Sequence, residues 1–516
     1  MPVCATPVTI AEQPMVCNLF LPAPDTDFRD FLDEVAELSR FAPEIIAAIE
    51  SDLDAHAREK KKLRLEDRKF FESRTADLPV LEVESSEISS AALPLGVGRP
   101  RMPAEAVYMF LMLRGFLGSL SSQQSRRFLS ESMNLYTWLQ SRGLQMPGIS
   151  TILDNLNVIR HQTRQLIFDR QIARVLGDGL EDFRSLTLDS TSVKANSSWP
   201  TDARILTGLL ARVNRLGQQL DAFGLENFRQ GWVPRWLEEM DKLEFQICLV
   251  AGKANSKIKL KQHYRQLLRK GKSAFAALGT QFERVEKEIQ LDALAPSRRA
   301  ILLRITEQIR SDLSDAGRVI EYARDRVFHE KTLPSTEKVL SLSDGSAAYI
   351  TKGSRTAVIG YKPQLVRSEN GFVASLLVPE GNAADSINLV PAISDAIKRT
   401  GVTAGLVSTD DGYASAQGRD ALHAMGVATV SISGAKGKRL TALEDWESEP
   451  YRDARRCRSA VESLMFTIKN RFTFGELGRR GIEAVRDELL EKVLAYNCCR
   501  SILIQQRKRE NLEQAA

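Results

Sequence analysis

The chain opens one strand and then postpones its partners. Leu186-Thr-Leu-Asp189-Ser-Thr-Ser-Val is a short β-type run that delivers a carboxylate at its end. Residues 203 to 333 then read as helix, opening with Leu206, Leu209, Leu210 and Val213 at helical spacing, until Pro334 ends the segment. Only afterwards do further strand-like runs appear, at Ala347-Ala-Tyr-Ile-Thr, Ala357-Val-Ile-Gly-Tyr and Phe372-Val-Ala-Ser-Leu-Leu-Val, with Gly353, Asn370 and Gly371 as turn residues between them. A helix from about Ala384 to Arg399, a strand from Ala404 ending on Asp410, a helix from Ala414 to Met425, a strand from Val427 to Ser431 and a long helix from about Tyr451 follow. This order predicts an α/β fold, a sheet flanked by helices, with a large helical insertion after the first core strand.

Composition narrows the class. Of 516 residues, 43% are hydrophobic and 27% charged, which is ordinary globular usage and excludes collagen-like and wholly disordered chains. The apolar run from Ala104 to Leu117 contains Glu105 and Arg114, so no membrane span is expected, and the N-terminus lacks the basic start of a signal peptide. The six cysteines show no CxxC spacing and the five histidines are scattered, which argues against a zinc site and for a reducing cytosol. The net charge of +5 permits a nucleic-acid partner, and its distribution is more telling than its size.

Residues 1 to 25 read as a loose arm, 27 to 75 as helix, and 77 to 98 as a linker rich in Ser, Glu, Pro and Gly. Between 98 and 165, short helices broken by Gly and Pro fit either a plain helical subdomain or a helix-turn-helix-like unit, with Ser150 as an N-cap. Lys253 to Lys272 holds eight lysines and arginines and no acid, among them Lys257, Lys259, Lys261 and Arg265, which reads as the footprint of a DNA-backbone contact or, more plainly, as a solvated helix face.

Asp189 and Asp410 each close an apolar strand, and open α/β sheets gather ligands beyond the carboxyl ends of their strands. Two aspartates there suit divalent cations that take oxygen ligands. Asp411 is a second candidate beside Asp410. Further on, Arg455, Arg458, Glu462 and Lys469 fall on one face of a single continuous helix, next to an apolar face of Val461, Leu464, Met465 and Ile468. The plainer reading of that helix is a surface element with ion pairs four residues apart.

These motifs together resemble the DDE-type transposases of bacterial insertion sequences. Leu188-Asp189-Ser-Thr-Ser-Val-Lys-Ala-Asn196 is similar to the family's first-aspartate strand, and Trp199-Pro-Thr-Asp202 to the segment that follows it. Ser343-Asp344 through Lys352-Gly353 and Gly360-Tyr361-Lys362 resemble its next strands. Thr409-Asp410-Asp-Gly412-Tyr413 resembles its second-aspartate motif, and Arg458-x₃-Glu462-x₆-Lys469 the R-E-K part of its Y-R-E-K signature, with Arg455 where the family has Tyr.

The resemblance implies a ribonuclease-H-like mixed sheet over 183–202 and 335–505. Outside the resemblance, residues 1–80 read as an N-terminal arm and helices and 203–333 as a helical insertion with a basic stretch, while the helices at 95–180 are expected to bind the DNA ends. Asp189, Asp410 and Glu462 are then expected to hold two Mg²⁺ or Mn²⁺ ions and to be catalytic. Arg455, Arg458, Lys469, Lys257, Lys259, Lys261 and Arg265 are expected to touch DNA. The implied activity is metal-dependent cleavage at insertion-sequence ends followed by transfer of the 3′-hydroxyl into target DNA. The implied partners are inverted-repeat ends, target DNA and a second copy of the chain, in the bacterial cytoplasm at the nucleoid. The alternatives are a nuclease of the same fold that does not transpose, or a catalytically decayed DNA-binding relative.

Overall fold

The computed structural model describes residues 7–8, 19–20, 26–75, 101–120, 123–228, 231–331, 333–351 and 356–515. The expected linker at 77–98, most of the expected arm, and Lys352-Gly353 lie outside them. Two short strands, β1 (Pro7–Val8) and β2 (Leu19–Phe20), precede seven helices: α1 (Thr26–Phe41), α2 (Glu44–Thr75), α3 (Ala104–Leu117), α4 (Gln123–Glu131), α5 (Met133–Gln140), α6 (Ile149–Val158) and α7 (His161–Gly177). The expected helix over 27–75 is thus two, parted at Ala42-Pro43, because Pro removes a backbone donor and disfavours helix in the residue before it. Gly148, and not Ser150, is the N-cap of α6.

β3 (Ser185–Ser190) and β4 (Val193–Lys194) come next, then the helices α8 (Asp202–Leu220), α9 (Val233–Val250), α10 (Lys257–Glu288) and α11 (Pro296–Phe328). The chain continues through β5 (Ala348–Ile350), β6 (Val358–Tyr361), β7 (Gln364–Ser368), β8 (Val373–Leu377), α12 (Asp385–Thr400), β9 (Leu406–Thr409), α13 (Ala416–Ala424) and β10 (Thr429–Ile432). It ends with α14 (Ala435–Leu440), α15 (Leu443–Glu447), α16 (Glu449–Cys457), α17 (Ala460–Arg471) and α18 (Ile482–Ala515). No described helix is long and apolar enough to cross a membrane.

The main sheet is mixed, in the order β10-β9-β3-β7-β8. β7 and β8 run antiparallel through a tight turn, where Gly371 takes a φ of +92° that suits glycine. β9 and β10 run parallel, so each is reached by a crossover helix, α12 and then α13. The α/β class with a mixed sheet therefore holds, but two of the anticipated strands lie elsewhere. β5 and β6 pair with β4 in a separate three-stranded sheet. The antiparallel partner of β3 is β7, whose Gln364, Arg367 and Ser368 hide it from any search for apolar runs.

Two hydrophobic cores exist among the described residues. One joins α1–α7, the main sheet, α12, α17 and α18; the other is confined to α8–α11 and the segments beside them. Leu206, Leu209, Leu210 and Val213 are fully buried in the second core. This four-helix unit leaves and re-enters the chain at neighbouring points: Arg326, near the end of α11, pairs with Asp202 at the start of α8 at 2.6 Å. α2 also reaches it. The Asp67 carboxylate accepts the Ser297 N–H at 3.0 Å, capping α11 from outside, and hydrogen bonding from the Ser297 side chain, joined by this backbone bond, lowers the Asp67 pKa.

α18 joins the N-terminal helices to the sheet and is buried nearly all round through its middle. A Cβ on Gly115 of α3 would lie 2.0 Å from the Glu491 carbonyl oxygen, so the two helices cross in backbone contact. At that crossing Glu491 receives three guanidinium groups: Arg114 from α3 (2.6 Å), Arg164 from α7 (2.7 Å) and Arg479 from the loop before α18. Farther along, Asn497 accepts from the Val373 N–H and donates to its carbonyl, at 2.9 and 3.0 Å, which fixes α18 against β8.

Burial alone would push the Glu491 carboxyl upward. The three guanidiniums outweigh that and hold it far below its ordinary value of 4.5. Glu491→Gln should therefore cost about 3–5 kcal/mol in urea unfolding, because it strands buried arginines. The carboxylate's contribution is complete above its unfolded pKa and is lost as pH falls below it. The difference between wild type and variant should accordingly shrink on acidification.

Candidate active site

Register brings the two strand-terminal aspartates together. In the parallel pair β3–β9, Ser185 lies opposite Leu406, Leu186 opposite Val407, and Thr187 opposite Ser408. Carried on by two residues, the same register sets Asp189 level with Asp410 on the neighbouring strand, and adjacent strands lie about 4.8 Å apart. Both are half-buried. Asp189 Oδ1 accepts from the Ser190 N–H at 2.7 Å. Asp410 Oδ1 accepts from the Gly412 N–H at 2.9 Å, which opens the single turn Asp411–Tyr413. Asp411 points elsewhere. Its Oδ1 takes the N–H groups of Lys436 and Gly437 at 2.8 and 3.0 Å and so caps α14.

A third carboxylate faces the pair, and sequence reading missed it. Asp385 stands in the first turn of α12. Its Oδ1 pairs with the Lys362 ammonium at 2.9 Å and accepts from Gln364 Nε2 at 3.2 Å. Gln364, level with Ser190 on β7, also receives the Tyr413 hydroxyl. Burial pushes the Tyr413 hydroxyl far up, and the carboxylates of Asp385, Asp189 and Asp410 add to that, so Tyr413 remains a donor. A Cβ built on Gly412 would lie 3.0 Å from Asp410 Oδ1 and 3.3 Å from Asp385 Oδ2. Glycine at 412 leaves the space between these carboxylates open. The Asp-x-Gly-Tyr pattern thus has a local cause: Asp begins the turn, Gly keeps the gap, and Tyr anchors the turn beneath.

The R-E-K residues are arranged differently from the single helix anticipated. The chain from Tyr451 onward forms α16, α17 and α18. Arg458 and Ser459 keep right-handed helical torsions, but Val461 and Glu462 donate to the carbonyls three residues back, so the path tightens between α16 and α17. Arg458 and Glu462 thus flank that tight turn. Glu462 is exposed in the first turn of α17. Lys469 Nζ donates to the Ser192 carbonyl at 3.1 Å, tying α17 to the chain just beyond Asp189.

Arg455 has partners within the protein. Its guanidinium stacks 4.2 Å over Trp446 and donates to the Trp446 carbonyl at 2.9 Å. Lys257, Lys259, Lys261 and Arg265 lie together on the first turns of α10, far along the sequence from the aspartates, with Tyr264, Leu267 and Leu268 facing the bundle core. Lys257, Lys259 and Arg265 are exposed and Lys261 partly so.

Among the described residues, no group of three or more His, Cys, Asp or Glu side chains is gathered closely enough to hold a metal ion. What is gathered is an all-oxygen pair, Asp189 and Asp410, with the Gly412 gap beside it. That donor set fits Mg²⁺ or Mn²⁺, which keep waters and take further ligands from substrate phosphate. Gly412→Ala should keep the circular dichroism of the wild type but weaken Mn²⁺ binding in calorimetric titration. Equal affinity in the two proteins would mean that the open gap is irrelevant to the cation.

No curated protein and no solved structure matches the chain. Residues 327–498 match the family model of the transposase DDE domain. The matched stretch contains Asp385, Asp410 and Glu462, and most of the site just described, while Asp189 precedes it. This part of the chain is a DDE-type transposase domain.

Proposed function

We propose that the chain is a DNA transposase of a bacterial insertion sequence, acting on a ribonuclease-H-like core. One observation carries the reading: two strand-terminal aspartates, level on adjacent parallel strands, whose second member lies within the transposase DDE domain. The sheet order, with two antiparallel strands on one side of β3 and two parallel strands on the other, supports the ribonuclease-H-like assignment.

Asp189, Asp410 and Glu462 are the proposed ligands of two divalent cations. Bound there, such ions would supply an activated water for end cleavage and charge stabilisation at the leaving oxygen in strand transfer. Asp189 and Asp410 hold their carboxylates at the strand ends. Glu462, exposed on α17, joins them once DNA is bound. Arg458 offers a forked guanidinium to phosphate, and Lys469 keeps its helix against the Asp189 strand while adding positive charge. The helices at 95–180 read the inverted-repeat ends, and two copies act together on a pair of ends, at the nucleoid.

In the insertion, the lysines at the start of α10 stand at the positive end of the helix dipole, an unfavourable position for cations in the free protein. A DNA phosphate track offsets that cost. Replacing Lys257, Lys259 and Lys261 together by Glu should weaken DNA binding and flatten its dependence on salt. The helix itself should gain a little stability, so misfolding would not account for the loss. An unchanged salt slope in fluorescence anisotropy would return these lysines to a purely solvated role.

The central test uses the inverted repeats flanking the gene as labelled substrate, a plasmid target, and Mg²⁺ or Mn²⁺. Wild type should give nicked ends and joined products. Asp189→Asn should bind the ends normally and lose both reactions by at least about 100-fold, the scale of a lost catalytic group. Near-normal joining by that variant would refute the assignment, and cuts without joints from wild type would identify a nuclease.

A further inference from the structure

Phe466 is 72% exposed, on the helix that carries Glu462. Val461, Leu464 and Ile468 bury the opposite face of α17. Phe466 follows Glu462 by one turn and precedes Lys469 by nearly one. Because Lys469 is tied to the Ser192 carbonyl, the ring stands between the exposed glutamate and a lysine anchored beside the Asp189 strand. Ser463 and Asn470 share its face, Arg458 and Arg471 bracket the helix, and Glu462 is the only acid on α17.

A phenyl ring held in water costs free energy that a partner would recover. An aliphatic protein surface would cover the ring but desolvate the cations around it. A nucleobase satisfies both, since its face stacks on the ring while its phosphate meets the positive charges.

We propose that Phe466 is the stacking platform for an unpaired base next to the phosphodiester held at the aspartates. The proposal rests on reading the site as one that cuts DNA. It makes Phe466 a substrate-binding residue: stacking holds the displaced base aside, so that the backbone can turn its phosphate toward Asp189 and Asp410.

The test uses the full chain without divalent metal and a generic duplex with a short unpaired 3′ tail carrying 2-aminopurine. Wild type should quench the probe. Phe466→Ala should lose the quenching and bind the tail about ten-fold more weakly, the scale of one lost base stack. Phe466→Trp should keep both properties. The alanine change removes an exposed ring from a helix and favours helix formation, so folding should survive.

Wild-type quenching by Phe466→Ala overturns the proposal. So does a change in sedimentation of the DNA-free protein on that substitution, which would identify the ring as a contact between copies. Asp189→Asn, run alongside with Mg²⁺ and cleavable DNA, separates the two readings. If it cuts like wild type, the catalytic assignment fails, while the quenching result judges Phe466 on its own.

Discussion

The helical N-terminal layer and the sheet meet at one buried carboxylate. Glu491 lies on a helix enclosed by protein, where an isolated charge would be strongly disfavoured, and three arginines from three different segments converge on it. Arg114 donates twice to Glu491, whereas Arg164 also pairs with Asp487 at 3.2 Å. Burial pulls the Arg114 pKa down to about 10, which still leaves it charged at neutral pH. The close approach of α3 at Gly115 brings Arg114 within reach, and Arg479 draws in the loop that leads from α17 to α18.

The site is built from strand ends, a braced turn and a helix. Asp189 and Asp410 end strands that share a parallel ladder, and Tyr413 and Gln364 brace the turn between them and Asp385 from below. Glu462 is on a helix entered through a tightened turn and anchored at its other end by Lys469. Asp189 and Asp410 stand at strand ends while Glu462 is exposed on α17, so the proposed triad would be completed only when substrate is bound. Lys362 balances part of the negative charge while the site waits.

Much of this is legible in the sequence, and the misses share a cause. Leu186-Thr-Leu-Asp189 and the run ending at Asp410 are readable as strands because their apolar residues are contiguous. β7 escapes because its buried residues include Gln364 and Ser368, polar groups whose partners lie outside the strand. The helix from Tyr451 reads as continuous because helical spacing persists through Arg458 and Ser459, and a shift of hydrogen bonding from four residues to three leaves no mark in composition. That the Arg455 guanidinium lies over the Trp446 ring is likewise decided across a fold that no spacing records.

The sequence by itself determined the succession of strands and helices, the carboxylates that close β3 and β9, the acid-free basic run on α10 and the motif of the transposase DDE domain. These are local properties, written in periodicity and in spacings of a few residues. Tertiary structure alone decided that Asp189 stands level with Asp410, that Asp385 faces them across Gly412, that Asp411 caps α14, and that Glu491 collects its arginines. Ladder register and buried ion pairs join residues as far apart as Arg114 and Glu491, 377 positions along the chain, and no local pattern encodes such a distance.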